Sequence, residues 1–135
     1  MKYQKELDNI PQCPPKDAEA KVTDSFRFVF DPVCIKSFIP QALTQPTRMS
    51  ATNDPVQKCS LTGLSFFTSD VAAVRVYNNI KMIKKHKKAR IGSHLAEGTL
   101  DPKDGLQSAV KCEHFDLHPS KNSCLENKFK IVSVL

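Results

Sequence analysis

Four side chains able to bind a metal or move a proton fall at alternate positions of KCEHFDLHP, residues 111–119: Cys112, His114, Asp116 and His118. On an extended strand successive side chains point to opposite faces, so all four would share one face. Thiolate, imidazole and carboxylate are ligand types that zinc accepts, and a catalytic zinc site typically uses three with water in the fourth position. His94, on a separate candidate strand, would supply a further ligand. A strand rises about 3.3 Å per residue, so Cys112 and His118 would stand about 20 Å apart, and only adjacent members of the row could share an ion. The competing expectation is ordinary alternation, with Phe115 and Leu117 turned to the core and His114, Asp116 and His118 in water. The sequence leans to that solvated face.

A second constellation is cationic. Residues 81–90, KMIKKHKKAR, contain Lys81, Lys84, Lys85, Lys87, Lys88 and Arg90 around His86. On a continuous helix Lys81, Lys85 and Lys88 would share one flank and could meet successive phosphates, releasing counterions and making binding salt-dependent. No aromatic residue follows Tyr77 in this segment, so it offers no platform for stacking bases. No helix-turn-helix, zinc-finger or RNA-binding signature accompanies it. The expected contact surface is Lys81, Lys84, Lys85, Lys88 and Arg90, with an acidic protein or nucleic acid as partner. The plainer account is a solvated helix end, where each cation gains a few tenths of a kcal/mol from the helix dipole.

The third is GLSFFTSDVAAV, residues 63–74. A strand ending in Ser and Thr before a helix is similar to the central Ser-Thr-Ser element of ADP-ribosyltransferases. In that family an earlier strand supplies Arg or His and a later one supplies Glu; here Arg27 precedes and Glu97 follows. The resemblance implies an enzyme acting on NAD through Arg27, Ser65 and Glu97. It covers only a few residues, and Leu95 stands where the family often carries a second acid. Capping of the next helix by Thr68 or Ser69 accounts for the same letters. The chain has no GxSxG, P-loop or GxGxxG motif, and no Cys–His spacing selects a nucleophile and its base.

These side chains must be held by elements, and the pattern gives several. SFRFVF, residues 25–30, alternates as a strand and stops at Asp31-Pro32. VCIKSFI, residues 33–39, fits a strand or a short helix. CSLTGLSFF, residues 59–67, reads as a buried strand, with Gly63 marking a bulge or a close approach. A helix follows over about 70–86, with Ala73, Val76, Tyr77, Ile80 and Ile83 as its inward stripe. IGSHLAEGTL, AVKCEHFDLHP and KFKIVSVL read as further strands. One principal helix among four to six mainly antiparallel strands, without strand–helix alternation, predicts an α+β fold.

At 135 residues the chain has the size of one domain. Residues 1–22 are expected as a loose arm, 23–135 as the domain, and 40–58, with three prolines, as a long loop over a site. Eight Phe against two Tyr and no Trp make Phe the main bulky filler of the core. The net charge of +6 favours acidic partners without identifying one. The five cysteines are odd in number and widely spaced, with no CxxC pair, so they are expected as separate thiols of a reducing compartment. Without a signal-like apolar run or a membrane-spanning stretch, the expected location is the cytoplasm, with no membrane contact and no cofactor.

Overall fold

Phe26 and Phe28 alternate with Arg27 and Val29 along Thr23–Val29, and this segment is strand β1 of the computed structural model, which describes residues 1–135. The other strands are β2 (Leu64–Phe67), β3 (His94–Leu100), β4 (Gly105–Gln107), β5 (His114–Pro119) and β6 (Lys130–Val134). They form one six-stranded sheet in the order β4-β5-β2-β1-β3-β6, antiparallel at every pairing. Six short helices surround it: α1 (Gln4–Asp8), α2 (Gln41–Thr44), α3 (Pro46–Ser50), α4 (Pro55–Thr62), α5 (Asp70–Asn79) and α6 (Lys84–Arg90). The fold is α+β, built as a single domain, with several short helices in place of one principal helix. No helix is long and apolar enough to cross a membrane.

One face of the sheet carries the larger core. Val29, Leu64, Phe66, Ala96, Leu100, Phe115 and Leu117 are buried there beneath Phe38, Leu125 and Phe129. Phe66 lies 5.7 Å from Phe115 in a nearly parallel arrangement and 5.4 Å from Phe129 at a tilt. Such ring pairs add about 0.5–1.5 kcal/mol beyond the area they bury. On the opposite face Phe67 and Leu95 pack against Ala72 and Ala73 of α5, with Phe26 and Phe28 beside them. The two alanines are fully buried, because their small side chains let α5 lie close to the sheet.

Helix α5 starts as the sequence suggests, with the Ser69 hydroxyl accepting from the Ala72 amide. It ends earlier than expected. Ile80 and Ile83 are extended and separate α5 from α6, and the buried stripe is Ala72, Ala73 and Tyr77, while Val76 and Ile83 are exposed. An unbroken helix would have carried Lys84 onto the greasy side. Residues 59–62 are helical rather than extended, because Asp54 accepts from the Val56 amide and Pro55 opens α4. That cap, together with Pro at the first position, is a helix start the apolar run concealed. Strand β5 begins at His114, since Cys112 and Glu113 form a turn with φ of 52° and 61°.

The segment expected as a loose arm contains α1, with Leu7 and Ile10 buried, a bond from Cys13 to Cys59, and a bridge from Glu19 to Gln107. The expected pairing-free cysteines are therefore only Cys34, Cys112 and Cys124. The stretch 40–58 is folded into α2, α3 and the start of α4.

Candidate functional site: a polar cleft and a cationic face

Strands β1 and β2 share a single ladder position, Phe26 opposite Phe67, and the opening beyond it is filled by a side chain. Arg27 sends Nε to the Ser37 carbonyl at 2.9 Å and Nη1 to the Ser65 carbonyl at 2.7 Å. Its guanidinium also lies 5.4 Å from the centre of the Phe66 ring and 5.7 Å from that of Phe38. The planar, multi-donor head satisfies two carbonyls that no strand amide reaches, a task an ammonium group is poorly shaped for. Burial lowers the Arg27 pKa to about 10, with Asp116 and Tyr3 opposing the fall, so it stays cationic at neutral pH.

Across β2 and β5, Ser65 stands opposite Asp116 and Phe67 opposite His114, which puts Ser65, His114 and Asp116 on one face. The Ser65 hydroxyl is 2.5 Å from His114 Nε2. Ser60, near the end of α4, donates to Asp116 Oδ2 at 2.8 Å. Gly63 permits this approach: a Cβ there would meet Asp116 Cβ at 3.1 Å and His118 Cε1 at 3.3 Å. With Arg27, Gln41 and Arg48 these groups line a cleft of about 210 Å³ that has one hydrophobic side chain among ten lining residues. Its size suits a small polar molecule or an anion; larger ligands generally need more room.

The arrangement differs from a Ser-His-Asp relay. A triad places its carboxylate behind the imidazole, on the nitrogen away from the hydroxyl. Here Asp116 Oδ1 is 3.9 Å from Nε2, the same nitrogen that faces Ser65. When the Ser65 hydroxyl donates, Nε2 is unprotonated and the ring proton sits on Nδ1. Burial raises the Asp116 pKa, while the Ser60 hydrogen bond and the His114 and Arg27 charges pull it back.

The structure divides the other sequence-derived candidates. Arg27 and Ser65 meet, but Glu97 does not join them. On β3 it pairs with Phe26 and is exposed, facing away from the side on which Arg27 leaves β1. His94 is three strands from β5, about 14 Å at the usual interstrand spacing, and sits 3.9 Å from Asp31 instead. His114 and Asp116 share the cleft. His118 leaves them, being 1% exposed, with Nε2 3.9 Å from Cys59 Sγ. The expectation of a solvated face therefore fails for His118, which is buried; Cys112 is exposed but sits in the preceding turn, off the strand. Gly63 is the close approach its place in the apolar run suggests, whereas Ser60 and Arg48 carry no signal in the sequence, because their positions depend on helices α4 and α3.

The cationic segment has its own geometry. Lys87 is buried, donates from Nζ to the Tyr77 carbonyl at 2.9 Å, and lies 4.9 Å from the centre of the Tyr77 ring. The Tyr77 hydroxyl in turn donates to the Gly92 carbonyl at 2.8 Å. These contacts pin α6 to the end of α5. Lys84, Lys85, Lys88 and Arg90 point outward and are exposed, as is Lys81, which lies before the helix rather than on its flank. None of the five forms an ion pair with a carboxylate. At 100° per residue, Lys84, Lys88 and Lys85 fall on one arc of about 100°. Comparison with protein-family models, curated proteins and solved structures finds no match.

Proposed function

We propose that the chain is a small binding domain whose α6 face holds a polyanion, in the first place the phosphate backbone of nucleic acid. The observation that carries this reading is the set of five exposed, unpaired cations at Lys81, Lys84, Lys85, Lys88 and Arg90, held outward by buried Lys87. Between Asp70 and Glu97 the chain has no acidic residue to neutralise them. Like charges spaced as Lys84 and Lys88 are cost a helix a few tenths of a kcal/mol per pair, a cost an anionic partner would remove. The absence of aromatic side chains in the segment favours contact with phosphates over base reading. Exchanging Lys84, Lys85 and Lys88 for Glu should abolish retention on heparin while leaving the far-UV circular dichroism spectrum intact. Unchanged retention would reject this face, and binding to acidic proteins but not to nucleic acid would reassign the partner.

A second reading rests on the cleft. Ser65 and His114 have the separation of a nucleophile and its general base, and Arg27 and Arg48 would attract a small anionic group, such as that of a phosphate ester or one end of NAD with the rest outside the cleft. In this reading Asp116, not Glu97, is the carboxylate beside the reacting groups. Replacing Ser65 with Ala should lower any turnover of NAD or aryl phosphate at least about a hundredfold. A parent protein that turns over neither substrate would sink the enzyme reading.

A further inference from the structure

Three ligand atoms gather where the N-terminal segment, α4 and β5 meet: one each from Cys13, Cys59 and His118, all within 4.8 Å of one another. In the structure the two sulfurs are joined to each other. That leaves the buried imidazole without a conventional partner. Its Nδ1 has no hydrogen-bond partner, and Nε2 has only the Cys59 sulfur at 3.9 Å. An unsatisfied buried polar group costs about 1–3 kcal/mol and calls for a role.

We propose that reduction of the Cys13–Cys59 bond converts this cluster into a Cys₂His site for a divalent, borderline-soft metal ion of the Zn²⁺ type. A dithiol reductant would supply two electrons and two protons, leaving two thiols and its own cyclic disulfide. The metal would then displace both thiol protons into solvent and bind two thiolates and the His118 nitrogen. A tetrahedral zinc centre places its sulfurs about 3.8 Å apart and its sulfur and nitrogen about 3.5 Å apart. His118 Nε2 is thus already near its place, and the freed sulfurs need only separate. Burial lowers the His118 pKa to about 4, so its lone pair is free at neutral pH. Three protein ligands leave a fourth position open to water or a small molecule, as in catalytic zinc sites. The cluster is separate from the α6 face, and its failure would leave polyanion binding untouched.

The test uses the full chain with Cys34, Cys112 and Cys124, the three exposed thiols, replaced by Ser. Cobalt(II) is the probe, added to protein reduced with a phosphine and to protein left oxidised. The reduced form should take up one equivalent with thiolate-to-cobalt charge-transfer absorption, displaced by zinc, and the oxidised form should show none. Replacing Cys59 with Ser should remove most of that band and weaken binding at least about tenfold, and His118→Gln should alter the ligand-field bands. If reduction alone unfolds the chain, recovery of the circular dichroism spectrum on metal addition supports the site, as for structural zinc domains. No charge-transfer band in reduced, folded protein, or a reduced chain that metal fails to refold, would overturn the proposal. So would equal binding by the oxidised protein.

Discussion

Replacing Arg27 with Met removes the group that stands in for the missing β1–β2 ladder. Met keeps much of the apolar stem and discards the charge and donors. Two charged hydrogen bonds are lost, to Ser37 and Ser65, leaving both carbonyls without a partner. Each is worth about 1.5–3 kcal/mol, and the two ring contacts with Phe38 and Phe66 add about 0.5–1 kcal/mol each. Allowing for the solvent that reaches this half-buried side chain, the expected cost is about 3–5 kcal/mol, a large part of the 5–15 kcal/mol typical of a domain. With a urea dependence of about 1–3 kcal/mol per molar, the unfolding midpoint followed by far-UV circular dichroism should fall by about 2 M. Arg27→Lys should recover less than half of the loss, because one ammonium cannot span both carbonyls. A midpoint within about 0.5 M of the parent for Arg27→Met, at unchanged slope, would refute the bridging role.

Two further outcomes follow from the buried ends of the sheet. Burial lowers His118 to about 4 in the folded chain from 6.5, so between those values the unfolded chain binds the proton that the folded chain refuses. Stability is then full above the upper value and falls by about 3 kcal/mol as pH drops toward the lower one. His118→Leu should flatten that part of the pH profile in urea titrations, and an unaltered profile would show that other groups cause it. Gly105 has φ of +144°, and a Cβ there would lie 2.1 Å from the His118 carbonyl oxygen. Gly105→Ala should therefore cost at least about 2 kcal/mol in thermal or urea unfolding, and a neutral effect would mean that β4 does not sit against β5 as described.

The elements that announced themselves were those whose local pattern and tertiary setting agree. Alternating Phe26, Phe28 and Val29 became β1, and Phe115 and Leu117 turned inward as their alternation required. The Ser69 cap and the α+β class were equally legible. Where pattern misled, a competing local rule won. Apolar residues 59–62 read as strand, but the Asp54–Pro55 start made them helix. The stripe through Ile83 implied one long helix, yet the cost of burying Lys84 favours a break at 80–83. The cleft is half visible: the sequence marks Arg27 and Ser65 for one chemistry and His114 and Asp116 for another. Their convergence depends on the β2–β5 register and on α4 descending beside Gly63, both long-range facts. The Cys13–Cys59 pairing was hidden because partners 46 residues apart leave no mark in spacing.

Titrating labelled duplex DNA with the protein over a series of salt concentrations measures the α6 face directly. If Lys84, Lys85, Lys88 and their neighbours each neutralise a phosphate, the logarithm of affinity should fall with the logarithm of salt at a slope of about −3 to −5. Each Lys→Gln exchange among these residues should then reduce the slope by about 0.9. A slope near zero, or one that the triple exchange leaves unchanged, would contradict polyanion recognition by this face.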